Sequence, residues 1–148
     1  MRAVIQRVSE ASVVVDGQPV SAIGPGLLVL VAVEEGDGEA EAAWLSRRLP
    51  ELRIFPDQEG RMNLSLAATG GELLLVSQFT LAARLDRGRR PSFAEAAPPD
   101  VARAVYDQLV AFLSAGDIPV RTGLFGAMMK VSLVNDGPVT FILEQRSA

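Results

Sequence analysis

Asn135-Asp136-Gly137-Pro138-Val139-Thr140 lies between two apolar runs, Val131-Ser132-Leu133-Val134 and Val139-Thr140-Phe141-Ile142-Leu143. Asp-Gly between runs of this type reads as a hairpin turn. The proline that follows withholds a backbone donor where the second strand should begin. Two readings of the same residues stand side by side. In one, Pro138 simply opens an edge strand after an ordinary turn. In the other, Gly137-Pro138 is a cis bond kept for a purpose, since the trans form before proline is favoured by only about 0.5–1 kcal/mol. Both make the end of the chain a sheet.

Upstream, the same β-type patterning recurs. Met1 to Val15 alternates loosely and is rich in valine, with Ser9-Glu10-Ala11-Ser12 as a candidate interruption, and Asp16-Gly17 gives a hairpin signal before Gln18 to Ile23. Gly24-Pro25-Gly26 marks a second turn. The unbroken run Leu27 to Val33 that follows predicts a strand buried on both faces. Arg53-Ile54-Phe55, Glu72 to Leu81 and Ile118 to Val120 are further extended segments. Two helices interrupt them. One starts near Glu39 with Asp37 as its cap and Ala42, Leu45, Leu49 and Leu52 on its inner face, until Pro50 interferes. Trp44 reads as a packing residue at the edge of that face. The other opens at Pro98-Pro99-Asp100, places Val101, Val105, Leu109 and Phe112 inward, and stops at Gly116. Seven or eight strands with two main helices predict an α+β domain on a curved, barrel-like antiparallel sheet, one domain over residues 1–148.

Composition excludes much chemistry. The 148 residues contain no cysteine and no histidine, with 49% hydrophobic and 22% charged residues. Disulfides, thiolate metal sites and every Ser-His-Asp or Cys-His arrangement are therefore excluded, as is an imidazole base. The carboxylates are scattered, with Glu34-Glu35 and Asp57-Glu59 in loops, so no metal-binding or glycosidase-like pair stands out. Gly24-Pro25-Gly26 lacks the lysine and helix of a phosphate loop. No leader-type segment is visible and the longest apolar run is too short to span a bilayer, so a cytoplasmic location is expected. A net charge of −4 argues against broad, non-specific nucleic-acid binding.

What remains is hydroxyl, amide and backbone chemistry. Ser77-Gln78-Phe79-Thr80 is a polar insertion in an apolar segment; it is either the point where a strand leaves the core or a gathering of donors able to hold an oxyanion. Strand alternation would put Ser77 and Phe79 on one side, Gln78 and Thr80 on the other. Arg84 to Phe93 is a loop carrying Arg84, Arg87, Arg89 and Arg90, read either as a solvated segment or as a phosphate-contacting one.

Taken together, these stretches resemble the D-aminoacyl-tRNA deacylases. The resemblance begins at Met1-Arg2-Ala3-Val4-Ile5-Gln6-Arg7-Val8 and runs through Gly24-Pro25-Gly26-Leu27-Leu28 and Arg53-Ile54-Phe55-Pro56. It continues through Ser77-Gln78-Phe79-Thr80-Leu81, Arg90-Pro91-Ser92-Phe93 and Thr122-Gly123, and closes at Asn135-Asp136-Gly137-Pro138-Val139-Thr140. It departs at Met128, where many relatives carry an acidic residue. The resemblance implies a homodimer that hydrolyses D-aminoacyl-tRNA, and glycyl-tRNA mischarged on a non-cognate tRNA, without metal or organic cofactor. It assigns Gln78, Phe79 and Thr80 to catalysis. It assigns Ser77, Arg7, Phe125, Met129 and a cis Gly137-Pro138 presented across the subunit interface to substrate binding and chirality. With tRNA as partner, Arg84, Arg87, Arg89 and Arg90 become candidates for acceptor-stem phosphates; neither DNA nor a membrane is expected. A non-catalytic tRNA- or adenosine-binding dimer and a deacylase of relaxed chirality are the alternatives.

Overall fold

The computed structural model describes residues 1–145 of the chain. A mixed sheet in the order β2-β1-β3-β6-β7 forms its centre, and β8 pairs with β1 off this path. Its strands are β1 (Arg2–Val15), β2 (Gln18–Ile23), β3 (Gly26–Ala32), β6 (Glu72–Ser77), β7 (Val120–Thr122) and β8 (Lys130–Glu144). A separate two-stranded ribbon joins β4 (Phe55–Pro56) to β5 (Met62–Leu64). The helices are α1 (Glu39–Glu51), the four-residue α2 (Leu66–Thr69) and α3 (Pro99–Ser114). β1 runs antiparallel to β2, β3 and β8, whereas the pairs β3–β6 and β6–β7 are parallel. The sheet is thus mixed rather than wholly antiparallel, because the helical crossovers over α1 and α3 return the chain to the same edge.

Asp16 and Gly17 adopt φ of 50° and 75°, the left-handed pair that a tight two-residue hairpin turn needs. β1 is continuous through Ser9–Ser12; the irregularity expected there is a register shift against β8, not a break. At the other end of the order, Ser21 Oγ donates to the Thr122 carbonyl at 2.8 Å and ties β2 to β7, so the sheet curls almost into a barrel. Period-two alternation then splits the apolar residues of β3 and β6 between two cores. Leu27, Val29, Val31, Leu73 and Leu75 face α1 and α3, while Leu28, Leu74 and Val76 face the barrel interior with Val8, Val13 and Ile23. Glycine is required at Gly26, where a Cβ would fall on the Glu72 carbonyl of the neighbouring strand.

α1 and α3 depart from expectation in detail. The cap of α1 is Gly38, whose amide donates to Glu41 Oε2 at 2.8 Å. Asp37 is instead buried, accepting from the Glu34 amide at 2.7 Å and pairing with the Met1 ammonium at 2.5 Å. Pro50 sits in the last turn without ending the helix early, and Trp44 packs at the core edge with the Arg48 guanidinium 5.8 Å from its ring centre. In α3 the buried face is Ala102, Val105, Tyr106, Leu109 and Leu113, so Val101 and Phe112 lie outward.

Candidate active site

The polar insertion lies where β6 ends. Ser77 is the last strand residue and sits beside Val31 of β3. The Gln78 amide still donates to the Val31 carbonyl at 2.7 Å, but Gln78 itself has φ −145° and ψ 79° and turns the chain into a single 3-10 turn, Phe79–Ala82. That turn breaks the strand alternation expected through Thr80. Gln78 and Thr80 still meet, since Gln78 Nε2 donates to Thr80 Oγ1 at 2.6 Å. The opening amides of a helical turn have no partner within it. Those of Phe79 and Thr80 make no backbone hydrogen bond among the described residues. The far end of the turn is held from β1, where Arg2 Nη1 donates to the Leu81 carbonyl at 3.0 Å.

These residues form one wall of a cavity of about 540 Å³. The end of β3 and the residue after it (Val31 to Val33), the first half of α3 through Tyr106, and the segment from Phe125 to Val131 complete it. The site residues expected at Ser77, Gln78, Phe79, Thr80, Phe125 and Met129 are thereby brought together. Gly123 makes room for Met129, because a Cβ there would come within 2.6 Å of the Met129 sulfur. Tyr106 is a lining residue the sequence reading passed over. Its hydroxyl donates to the Leu75 carbonyl at 3.2 Å, and its ring lies 5.5 Å from that of Phe125. Burial, with a smaller contribution from the Asp107 charge, pushes the Tyr106 phenol up to about 12. It is neutral near pH 7 and, among the described residues, is the one titratable side chain lining the cavity. The walls therefore hold no ready base.

Gly137 and Pro138 lie elsewhere. β8 is one long strand, not a hairpin, and bulges outward where Gln6 and Val8 of β1 face Thr140 and Asn135. The Gly137-Pro138 bond, at the tip of this bulge, is cis, and both residues are exposed. Asn135 ties the base of the bulge, accepting from the Val139 amide at 3.0 Å and donating to Thr140 Oγ1 at 2.9 Å. Arg7 braces its flank: Nε donates to the Asp136 carbonyl at 3.0 Å and Nη1 to the Ile54 carbonyl at 2.9 Å. Arg7 pairs with Leu27, whereas Ser77 sits beside Val31 four residues further along β3. At about 3.3 Å per residue the two features start roughly 13 Å apart. Neither Gly137 nor Pro138 lines the cavity of its own chain.

The arginine loop is closed by paired main-chain bonds between Arg84 and Ser92, at 2.8 and 3.0 Å. Its four arginines are not equivalent. Arg84 is ion-paired to Asp86 at 2.9 Å and Glu95 at 3.1 Å, and those partners raise its affinity for its proton, Asp86 most. Arg87, Arg89 and Arg90 are exposed and form no ion pair among the described residues. Among the described residues no group of histidine, cysteine, aspartate or glutamate could hold a metal ion, and no helix is long and apolar enough to cross a membrane.

The chain is 58% identical to a D-aminoacyl-tRNA deacylase of Geobacter sulfurreducens, covering 99% of this chain and 97% of that protein. It is 60% identical to one of Geotalea uraniireducens, covering 97% and 93%. A solved structure of a protein named c-Myc DNA unwinding element binding protein superposes with a TM-score of 0.94 at 39% identity, over 99% of this chain and all of that one. A second, described as a probable eukaryotic D-amino acid tRNA deacylase, shares the fold at a TM-score of 0.81 and 21% identity, covering 96% and 97%. The profile of the family described as D-Tyr-tRNA(Tyr) deacylase matches residues 4–144, and the chain belongs to that family.

Proposed function

We propose that this chain hydrolyses the ester joining a D-amino acid to the 3′-terminal adenosine of a tRNA, with mischarged glycyl-tRNA as a second substrate. The observation that carries this reading is the meeting of Gln78, Phe79 and Thr80 on the wall of an apolar cavity, with the Phe79 amide making no backbone hydrogen bond among the described residues, in a member of this family. The adenosine enters between Phe125, Met129 and Tyr106. The ester carbonyl faces the Gln78–Thr80 turn, and the Phe79 amide together with the Gln78 Nε2 hydrogen not given to Thr80 holds the oxygen that becomes negative as water adds. The bond from the carbonyl carbon to the ribose oxygen then breaks, and the proton goes to that oxygen. A single such donor is worth about 2.7–4 kcal/mol in the transition state.

Thr80 positions groups rather than attacking. Its oxygen already accepts a hydrogen bond from Gln78, and no base lines the cavity to take its proton. The vicinal 2′-hydroxyl of the substrate supplies the assistance the walls lack. Selectivity comes from outside the protomer: Gly137 and Pro138 of a second copy face the cavity of the first, in a homodimer. Supporting this is their exposure on a braced bulge remote from their own cavity. An L-amino acid aims its side chain at that backbone and is excluded, a D-amino acid aims it away, and glycine has nothing to exclude. The protein works as one domain in the cytoplasm, with tRNA as its partner.

The test is hydrolysis of D-tyrosyl-tRNA by the purified protein and by Gln78→Ala. A loss of at least about 100-fold in the variant supports the reading, as removal of one oxyanion donor does elsewhere. A wild-type protein that binds the tRNA without hydrolysing it leaves a non-catalytic binding dimer instead.

A further inference from the structure

At the edge of the cavity stands an aromatic pair whose role nothing above explains. The Phe79 and Phe93 rings lie 5.2 Å apart, tilted by 51°. Both are open to solvent, Phe79 at 59% and Phe93 at 42%, which is unusual for large apolar side chains placed side by side. They come from different elements. Phe79 opens the 3-10 turn of the cavity wall, and Phe93 directly follows the main-chain closure of the arginine loop at Ser92. The pair thus bridges the cavity and a loop whose Arg87, Arg89 and Arg90 carry unpaired positive charge.

Exposed aromatic rings beside unpaired arginines suit one class of partner. Single-stranded nucleic acid is held by bases stacking on aromatic faces while cations track its phosphates. An acidic peptide would use the arginines but leave the rings idle, and a purely apolar partner would bury the arginines without counter-charge. We propose that Phe79 and Phe93 form a stacking platform for an unpaired base of single-stranded RNA immediately preceding the terminal adenosine, with Arg87, Arg89 and Arg90 on its phosphates. The inference rests on the deacylase reading and adds to it a grip on the strand outside the cavity. Phe79 contributes its amide to the chemistry and its ring to the platform, so one residue registers the strand relative to the reacting ester.

Phe93 tests this without touching the residues assigned to chemistry. Deacylation by wild type, Phe93→Ala and Phe93→Trp is measured on D-tyrosyl-tRNA and on the minimal substrate D-tyrosyl-adenosine, which has no preceding nucleotide. Phe93→Ala is expected to raise KM for the tRNA about 5- to 150-fold, the range that loss of one base–aromatic stack gives. Its kcat, and both constants for the minimal substrate, are expected within about twofold of wild type, and Phe93→Trp is expected to restore the tRNA KM. Equal losses on both substrates, or an unchanged KM for the tRNA, would overturn the platform. A change from dimer to monomer in Phe93→Ala by light scattering would assign the pair to a subunit contact and also overturn it. Failure of the wild type on both substrates would instead sink the deacylase reading, and the platform with it.

Discussion

Replacing Arg7 by alanine removes both ends of a brace. Its guanidinium donates to the Ile54 carbonyl at 2.9 Å, a partly buried bond, and to the Asp136 carbonyl at 3.0 Å on the exposed flank of the bulge. The Asp136 carboxylate, 4.0 Å away and itself exposed, adds little. A hydrogen bond from a charged group contributes about 1.5–3 kcal/mol net, and an exposed one about 0.5–1.5. The sum is about 2–4.5 kcal/mol, which for a chain of this length lowers Tm by roughly 4–18 °C. The bulge also loses its fixed position. If it is the chirality gate, rejection of L-tyrosyl-tRNA should weaken about tenfold or more, since about 1.4 kcal/mol of lost clash gives one factor of ten. D- and L-tyrosyl-tRNA deacylation by Arg7→Ala and Arg7→Lys, at a temperature where calorimetry shows both folded, reads the effect. Arg7→Lys should fall between, because an ammonium cannot reach two carbonyls as a fork does. A destabilised Arg7→Ala that still rejects the L-ester as fully as wild type would refute the reasoning: the brace would then serve stability alone.

Three further outcomes are expected. Tyr106 is the chain's one tyrosine, so tyrosinate absorbance reports it alone; its midpoint should lie near 12 in the folded protein and near 10 after denaturation. Because the folded value is the higher, this contribution is whole below pH 10 and is lost as pH rises towards 12, on the order of 2–3 kcal/mol in all; denaturant titrations of Tyr106→Phe should lack that fall. Thr80→Ala should keep most deacylase activity, and rapid quench should trap no acyl-enzyme; a trapped acyl-enzyme in the wild type would make Thr80 the nucleophile. Neutralising Arg87, Arg89 or Arg90 should reduce the slope of log affinity for tRNA against log salt by about 0.7–0.9 each, whereas Arg84→Gln should change it less because Arg84 is held by Asp86 and Glu95.

Local patterns carried most of the fold. Asp16-Gly17 and the unbroken Leu27 to Val33 run were legible because backbone preference and two-sided burial agree there. Parallel pairing of β3 with β6 was not, since it depends on where a helical crossover lands. The tilt of α3 was available but misassigned: Ala102, Val105, Tyr106, Leu109 and Leu113 fit a buried stripe better than Val101 and Phe112 do. The error hid Tyr106 as a lining residue. Near Gly137-Pro138, hairpin chemistry pointed to a turn, yet eleven register pairs keep β8 on β1 and the turn residues became a bulge. The 3-10 turn after Gln78 escaped for a related reason. Strand propensity through Phe79-Thr80-Leu81 is high, and only tertiary contacts, such as Arg2 on the Leu81 carbonyl, bend it away.

The most direct test charges one tRNA in turn with D-tyrosine, L-tyrosine and glycine and follows release of each by the unaltered protein. The account predicts rapid release of D-tyrosine, measurable release of glycine, and L-tyrosine leaving no faster than without enzyme. Equal release of the D- and L-esters, or no release of either, would contradict it.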